Sequence, residues 1–431
     1  MLSLLDLRAV DHGLAGLLPR PKVDGEGPVA AVKAILAEVE AGGDTALRRL
    51  TERFDHVRLG ALAVPPGEAQ AALDSLDPAL RAALFEAAES ITAFHEAQRR
   101  PAHVHERAGI RIAGRRQPVD RAGLYVPGGR AVYPSTVLMT ALPARAAGVA
   151  ELALCCPPDP ADPAGRPPAV TLAAAAVAGV EEIYPIGGAQ AIAALAYGTE
   201  TIRRVDVIVG PGNAYVAIAK REVAGRVGIP SAFAGPSEVV VVADRTTRPD
   251  YAAIDLIVQA EHGPDGLAWL VCWEPEVAEA VGAALGRLLE HAPRRADVLA
   301  TLAEGGHTAL CRDPQQAMEV VNLIAPEHLE LLTEAPERLV PLVRHAGAVF
   351  CGPLAPASIG DYLAGPSHVL PTFGSARFSS ALTVDDFQKQ LHVITVTPAG
   401  FERAAPHVAA LAAAEGLDAH AQSVLLRRAQ R

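Results

Sequence analysis

The sequence predicts an α/β protein with two Rossmann-like parallel-sheet domains and a small helical and strand C-terminal arm. Three observations carry that expectation. Runs of apolar and β-branched residues such as "ELALCC" (151–156) and "EVVVVAD" (238–244) are separated by helical segments, the pattern of strands buried on both faces of a parallel sheet. The alternation occurs in two successive runs, so two α/β units are expected side by side. From about residue 387 the pattern changes to one strand and two alanine-rich helices, an arm too small to fold alone.

In chain order, residues 29–55 and 77–100 read as amphipathic helices, the second with Asp77 as N-cap and Pro78 in the first helical position. Short strands follow in "IRIAG" and "GLYVPGG". The first alternating run then comprises helix 135–147, "ELALCC", helix 169–178, "EIYPIGG", helix 189–198, "VDVIVGPG", helix 213–226 and "EVVVVAD". The second comprises helix 249–262, "LAWLVCWE", helix 275–291, "HTALCRD", helices 314–324 and 336–345, and "AVFCG". The tail holds "LHVITVT" and the helices "FERAAPHVAALAAA" and "AHAQSVLLRRA". The expected organisation is an N-terminal arm (1–25), a first α/β domain (26–124 with 239–381), a second (125–238) and a C-terminal dimerisation arm (382–431).

Composition narrows the function. A net charge of −11 with no basic tract argues against nucleic acid, whose binding rests on clustered Lys and Arg. The N-terminus lacks the basic region of a signal peptide, and the longest apolar stretch, 169–180, falls short of the ~18 residues a membrane span needs. A cytoplasmic protein without membrane contact is expected. Cys155, Cys156, Cys272, Cys311 and Cys351 lie in apolar, strand-like runs and read as buried, reduced thiols.

Ligands of open α/β sheets bind beyond the carboxyl ends of the strands, so the turns there matter most. "YVPGGRAVYPST", "GGAQA", "GPGNAY" and "AGPSEV" are small-residue turns, three of them entering a helix, where backbone N–H groups can approach a phosphate. None carries the G-x-G-x-x-G dinucleotide fingerprint, and tight turns alone would explain each. "QAEHGPDG" (259–266) ends a helix with Gln259 and His262 on one face of the last turn, close enough to hold the same object, although a His, Gly and Pro there also form an ordinary helix stop. "IAPEHLE" sets Glu327 beside His328, a carboxylate and an imidazole suited to proton transfer near neutral pH. "SIGDYLAGPSHVLPT" places Asp361 and His368 around a Gly-Pro turn, and "AAAEGLDAHAQS" isolates Glu415 and His420 in an otherwise inert tail.

In chain order, "GLYVPGG", "GGAQAIAALAYGTE", "GPGNAYV", "AGPSEV", "QAEHGP", "APEHLE", "GDYLAGPSHVLPT" and "EGLDAH" together resemble histidinol dehydrogenase across residues 123 to 420. A departure is Pro366-Ser367, where many members carry Thr-Asn or a similar pair; with His368 retained, only a local backbone change is expected. The resemblance implies one catalytic Zn²⁺ per subunit, held by Gln259, His262, Asp361 and His420, the last from the partner subunit's tail in a homodimer with shared active sites. On ligand type alone Mn²⁺ or Co²⁺ could substitute. Ser237, Glu327, His328, His368 and Glu415, together with the metal ligands, are implied to contact L-histidinol, and Tyr125, Gln190 and Asn213 to contact NAD. The implied reaction is oxidation of L-histidinol to L-histidine through the aldehyde with two NAD⁺, the last steps of histidine biosynthesis, with Glu327 and His328 catalytic. The same fold acting on another polar alcohol is one alternative. A zinc hydrolase is another, since metal, Glu and His also suit water attack on an amide, but it leaves the glycine turns unexplained.

Overall fold

The computed structural model describes residues 2–19, 28–128, 131–230, 237–261, 263 and 266–429. Among them the strands run, in chain order, β1 (Ser3–Asp6), β2 (His103–Arg107), β3 (Ile110–Pro118), β4 (Arg121–Tyr125), β5 (Glu151–Cys156), β6 (Glu182–Pro185), β7 (Val207–Val209), β8 (Glu238–Ala243), β9 (Leu267–Cys272), β10 (Gly306–Leu310), β11 (His328–Leu332), β12 (Ala348–Cys351) and β13 (Gln388–Val396). The chain divides into two compact units, Met1–Gln98 with Asp120–Phe387, and Arg99–Val119 with Gln388–Arg431.

The first unit holds two parallel sheets, one of six strands in the order β1-β10-β9-β8-β11-β12 and one of four in the order β6-β5-β4-β7. β8 explains why such strands lack polar alternation. Val239, Val241 and Ala243 pack on the face covered by the helices Pro249–Ala260 and Pro275–Glu290, whereas Val240 and Val242 pack with Met318 and Val321 of the helix Pro314–Ile324 on the other. Each fully buried valine contributes about 1.5 kcal/mol through the area removed from water. The four-stranded sheet is covered likewise, with Ile35, Leu47, Ile192 and Val216 from three helices in one core against Ala153 and Ile208. No helix of the described residues is long and apolar enough to cross a membrane.

Several elements differ from their sequence reading. Ser3–Asp6, within the expected N-terminal arm, forms the edge strand β1 against β10, while residues 20–25 lie outside the described residues. The helix Val29–Asp55 is interrupted at Gly43, whose φ of 49° is left-handed; a Cβ there would sit 2.2 Å from the Glu200 carboxylate. Glu200 instead accepts the Asp44 N–H at 2.8 Å and so caps the helix where it restarts, while the Asp44 carboxylate accepts both the backbone N–H and the hydroxyl of Thr201 and ties the break to that segment. The helix read at 336–345 shortens to Pro336–Leu339 and a 3₁₀ turn, and "HLELL" is the strand β11. Asp77 does cap the helix Pro78–Ala97, accepting from Ala79 and Leu80. Cys155, Cys156, Cys272 and Cys311 are buried thiols; Cys351 is exposed because β12 is an edge strand.

The second unit is an antiparallel sheet, β13-β3-β2, with the helices Pro398–Ala414 and Asp418–Ala429. The tail strand thus pairs over nine residues with β3, more than two hundred residues earlier in the chain. Residues 103–107, not expected as a strand, complete this sheet. A helix linking two parallel strands starts beyond their carboxyl ends and returns to their amino ends. That geometry determines which residues of the first unit can meet.

Candidate active site

A cavity of about 310 Å³ lies in the first unit, between opposite edges of its two sheets. From the four-stranded sheet come turns beyond the carboxyl ends of β4 and β7, with Pro127, Gly128, Gly210 and Gly212. From the six-stranded sheet come residues at the amino ends of β8 and β11, Ser237, Glu327 and His328. The cavity therefore lies beyond carboxyl ends of strands on one wall only. Gln259 reaches the other wall because it stands in the last turn of the crossover helix Pro249–Ala260, which brings the chain back to the amino edge.

His328 occupies the centre of that wall. Its Nδ1 lies 3.2 Å from the Glu238 carbonyl, an acceptor only, so Nδ1 donates there and Nε2 is the nitrogen available to take a proton. Glu327 Oε2 lies 3.7 Å from Nδ1, and Asp361 Oδ1 3.7 Å from Nε2. Burial opposes protonation of His328, but the charges of Glu327 and Asp361 and the hydrogen bond to Asp361 prevail and push its pKa up to about 9. Glu327 is held in place by the Glu238 backbone N–H at 3.0 Å. The Glu238 carboxyl is pushed up to about 8 by burial and by the neighbouring Glu327 charge.

His368 is fixed on both sides, with Nδ1 2.9 Å from the Asp361 carbonyl and Nε2 3.0 Å from the Thr136 hydroxyl. It therefore joins the short helix Ala357–Tyr362, which bears Asp361, to the helix Pro134–Ala147 of the four-stranded side. The departing pair Pro366-Ser367 is anchored too, since the buried Ser367 hydroxyl donates to the Met139 carbonyl at 2.9 Å.

Gln259 is 4% exposed, and among the described residues its Nε2 has no hydrogen-bond partner. A buried amide with an unmet atom is costly unless a ligand engages the group. Gln259 and Asp361 line the same cavity and supply oxygen donors, which suits a divalent cation. Among the described residues no group of three or more His, Cys, Asp and Glu is placed to hold a metal ion. His262 lies outside the described residues. Glu415 and His420 belong to the second unit, at the end of one of its helices and in the first turn of the next, and both are exposed.

On the opposite wall the small-residue turns are closely packed. Gly210 has φ +108° and approaches the Tyr125 carbonyl so nearly that a Cβ would lie 2.0 Å from that oxygen. Tyr125 and Gln190 are buried at 3% and 1% exposure, and the Tyr125 hydroxyl accepts the Gly188 N–H at 3.0 Å. Asn213 caps the helix Ala214–Val223, its side chain accepting from Val216 at 3.1 Å. Tyr125 and Asn213 thus brace two of the small-residue turns, and the turns at Gly128, Gly210 and Gly212 form part of the cavity wall, which Tyr125, Gln190 and Asn213 themselves do not line.

A family model described as histidinol dehydrogenase matches residues 18–428. The chain belongs to the histidinol dehydrogenase family. It is 47% identical over 405 residues to the histidinol dehydrogenase of Cupriavidus pinatubonensis, an alignment covering 92% of this chain and 90% of that protein. To the histidinol dehydrogenase of Ralstonia nicotianae it is 45% identical over 438 residues, covering 99% and 98%. The crystal structure of histidinol dehydrogenase from Elizabethkingia anophelis matches with a TM-score of 0.94 at 33% identity, covering all of this chain and 98% of that one.

Of the residues that likeness to histidinol dehydrogenases singles out, Ser237, Gln259, Glu327, His328, Asp361 and His368 meet at the cavity. Three charged groups escaped the sequence reading. Asp255 lines the cavity four residues before Gln259, a helical spacing that could have found it. Glu330 shares a sheet face with His328 and is fully buried, its Oε1 accepting the Ala357 N–H at 2.8 Å. Burial and the mutual repulsion of the two carboxyls raise both and favour a proton on the Asp255–Glu330 pair. Lys220 is the third; it lies on an apolar helix face, and its Nζ donates to the Gly210 carbonyl.

Proposed function

We propose that this chain oxidises L-histidinol to L-histidine through the aldehyde, in two hydride transfers to NAD⁺. One Zn²⁺ per subunit is held by Gln259, His262, Asp361 and, in a homodimer with shared active sites, His420 of the partner subunit. Family membership supports the reaction class. The observation that carries the reading is the placement of His328 between Glu327 and Asp361, in a cavity it shares with the unsatisfied Gln259 amide. A cation held there would supply a positive anchor for the substrate and would offset the Asp361 carboxylate beside His328.

The remaining chemistry falls to the chain's own side chains. With Nδ1 committed to the Glu238 carbonyl, His328 would be unprotonated at Nε2 once the Asp361 charge is offset, and it takes the hydroxyl proton there as the first hydride leaves the carbinol carbon. Glu327, held by the Glu238 N–H, removes a proton from the water that attacks the aldehyde. His328 gives its first proton up to solvent, and its Nε2 then takes a proton from the gem-diol as the second hydride leaves; a further proton leaves the acid product and the carboxylate forms. The Gly128 and Gly210–Gly212 turns seat the cofactor on the facing wall, backed by Tyr125, Gln190 and Asn213. The second unit supports the homodimer through Leu391, Ile394, Leu411 and Leu426, which are 50–66% exposed and suit a subunit interface.

Purified chain supplied with L-histidinol and NAD⁺ is expected to produce NADH, to stop when a chelator strips the metal, and to recover on adding Zn²⁺. Absence of NADH would overturn the activity. Undiminished turnover by demonstrably metal-free protein would overturn the zinc assignment alone.

A further inference from the structure

Lys220 is one of four lysines in the chain and the most unusually placed. Its residue is 4% exposed, and its Nζ donates to the Gly210 carbonyl while the side chain lines the cavity. An ammonium carries three donors, yet no second acceptor and no carboxylate partner contacts it among the described residues. Burial alone accounts for its pKa, which falls to about 8. One backbone carbonyl would be served as well by a neutral donor, and burying a cation without a counter-charge is costly. The acidic lining groups, Asp255, Glu327 and Asp361, all stand on elements of the six-stranded sheet, whereas Lys220 stands on the wall built by the four-stranded sheet. The cavity is therefore divided by charge, with an acidic wall for a cation and a cationic substrate facing a wall with one unmatched positive group.

We propose that Lys220 is the residue with which the cavity recognises an oxyanion, either the diphosphate of the nicotinamide cofactor or the carboxylate created by the second oxidation. This rests on the dehydrogenase reading above, because that reaction brings one anion into the cavity and makes another there. The free donors of Lys220 supply charge-assisted hydrogen bonds that neither the glycine turns nor the acidic wall can provide.

The test uses the full-length chain and Lys220→Gln, which keeps a donor for the Gly210 carbonyl but removes the charge. Dissociation constants are measured for NADH, for uncharged reduced nicotinamide riboside, for L-histidine and for L-histidinol. A loss of about tenfold or more for NADH but not for the riboside supports the proposal with the diphosphate as the anion. The same loss for L-histidine but not L-histidinol supports it with the carboxylate. Equal losses for all four ligands, or none, overturn it, since Lys220 would then only brace the Gly210 turn. Lys220→Arg keeps the charge and is expected to keep the anion preference; loss of that preference also overturns the proposal. Wild-type chain that makes no NADH from L-histidinol would sink the functional reading itself, whereas normal wild-type turnover with an unaffected variant removes only the role of Lys220.

Discussion

His328→Asn is expected to slow both half-reactions by about 10²- to 10⁴-fold, the range for removing a positioned general base, while Glu327→Gln slows aldehyde oxidation to that extent and alcohol oxidation far less. The asymmetry follows from the hydrogen bonds. An amide at position 328 can still donate to the Glu238 carbonyl, as Nδ1 of His328 does, but offers no nitrogen able to take a proton in place of Nε2. Both oxidations release a proton from oxygen, so both suffer. A Gln at 327 can still accept the Glu238 N–H, which preserves the local backbone, yet it cannot deprotonate water, and only the aldehyde step consumes water. Single-turnover NADH formation, started from L-histidinol or from L-histidinal, separates the two. Equal losses for Glu327→Gln in both reactions would refute the division of roles.

Arg121→Met is expected to destabilise the protein by about 1–2 kcal/mol without lowering kcat at temperatures where it remains folded. Arg121 opens β4, and its side chain, 6% exposed, binds Glu151 at 2.9 Å and Glu182 at 2.5 Å. Glu151 and Glu182 open β5 and β6, so the cluster ties three neighbouring strands together at the amino edge of the four-stranded sheet. The cavity lies at the opposite, carboxyl edge, which is why stability and turnover should separate. Removing the guanidinium leaves two adjacent carboxylates to share Arg203, which is more exposed and contacts Glu151 at 2.7 Å and Glu182 at 3.0 Å. The hydrogen bond from Arg121, only partly opposed by burial, holds Glu182 down to about 2 from an ordinary 4.5. A depressed carboxyl pKa stabilises the fold fully above the unfolded value and loses that stabilisation as pH falls towards the folded one. The gap between wild type and variant in urea unfolding should therefore be widest near pH 7 and narrow below about pH 4. A gap that is negligible at pH 7, or that grows in acid, would contradict this.

Much of the fold was legible because burial on both faces leaves a plain record. "ELALCC", "EVVVVAD" and "LAWLVCWE" have no polar alternation and fall on β5, β8 and β9. β11 was not legible for the opposite reason. His328 and Glu330 stand on a sheet face otherwise occupied by Val239 and Val241, so site chemistry interrupts the apolar pattern by which a strand is recognised. β2 is short and exposed along its length, and its pairing with β3 is a tertiary choice that local sequence does not encode. The Glu327–His328 pair was visible as chemistry, but not its function as a wall, because the strand-end rule points to carboxyl edges while this cavity takes its acidic side from an amino edge. Lys220 was hidden by its surroundings. On an alanine- and valine-rich helix it reads as a solvated charge, and only the fold reveals that the position is interior.

The central claim is that one cavity carries an alcohol through two successive oxidations without giving up the aldehyde between them. Its most direct test is the stoichiometry of complete conversion, with NADH counted by absorbance and L-histidine by chromatography from the same reaction. The account predicts two NADH for every histidine formed, with no free histidinal accumulating. One NADH per histidinol consumed, with the aldehyde released as product, would contradict it.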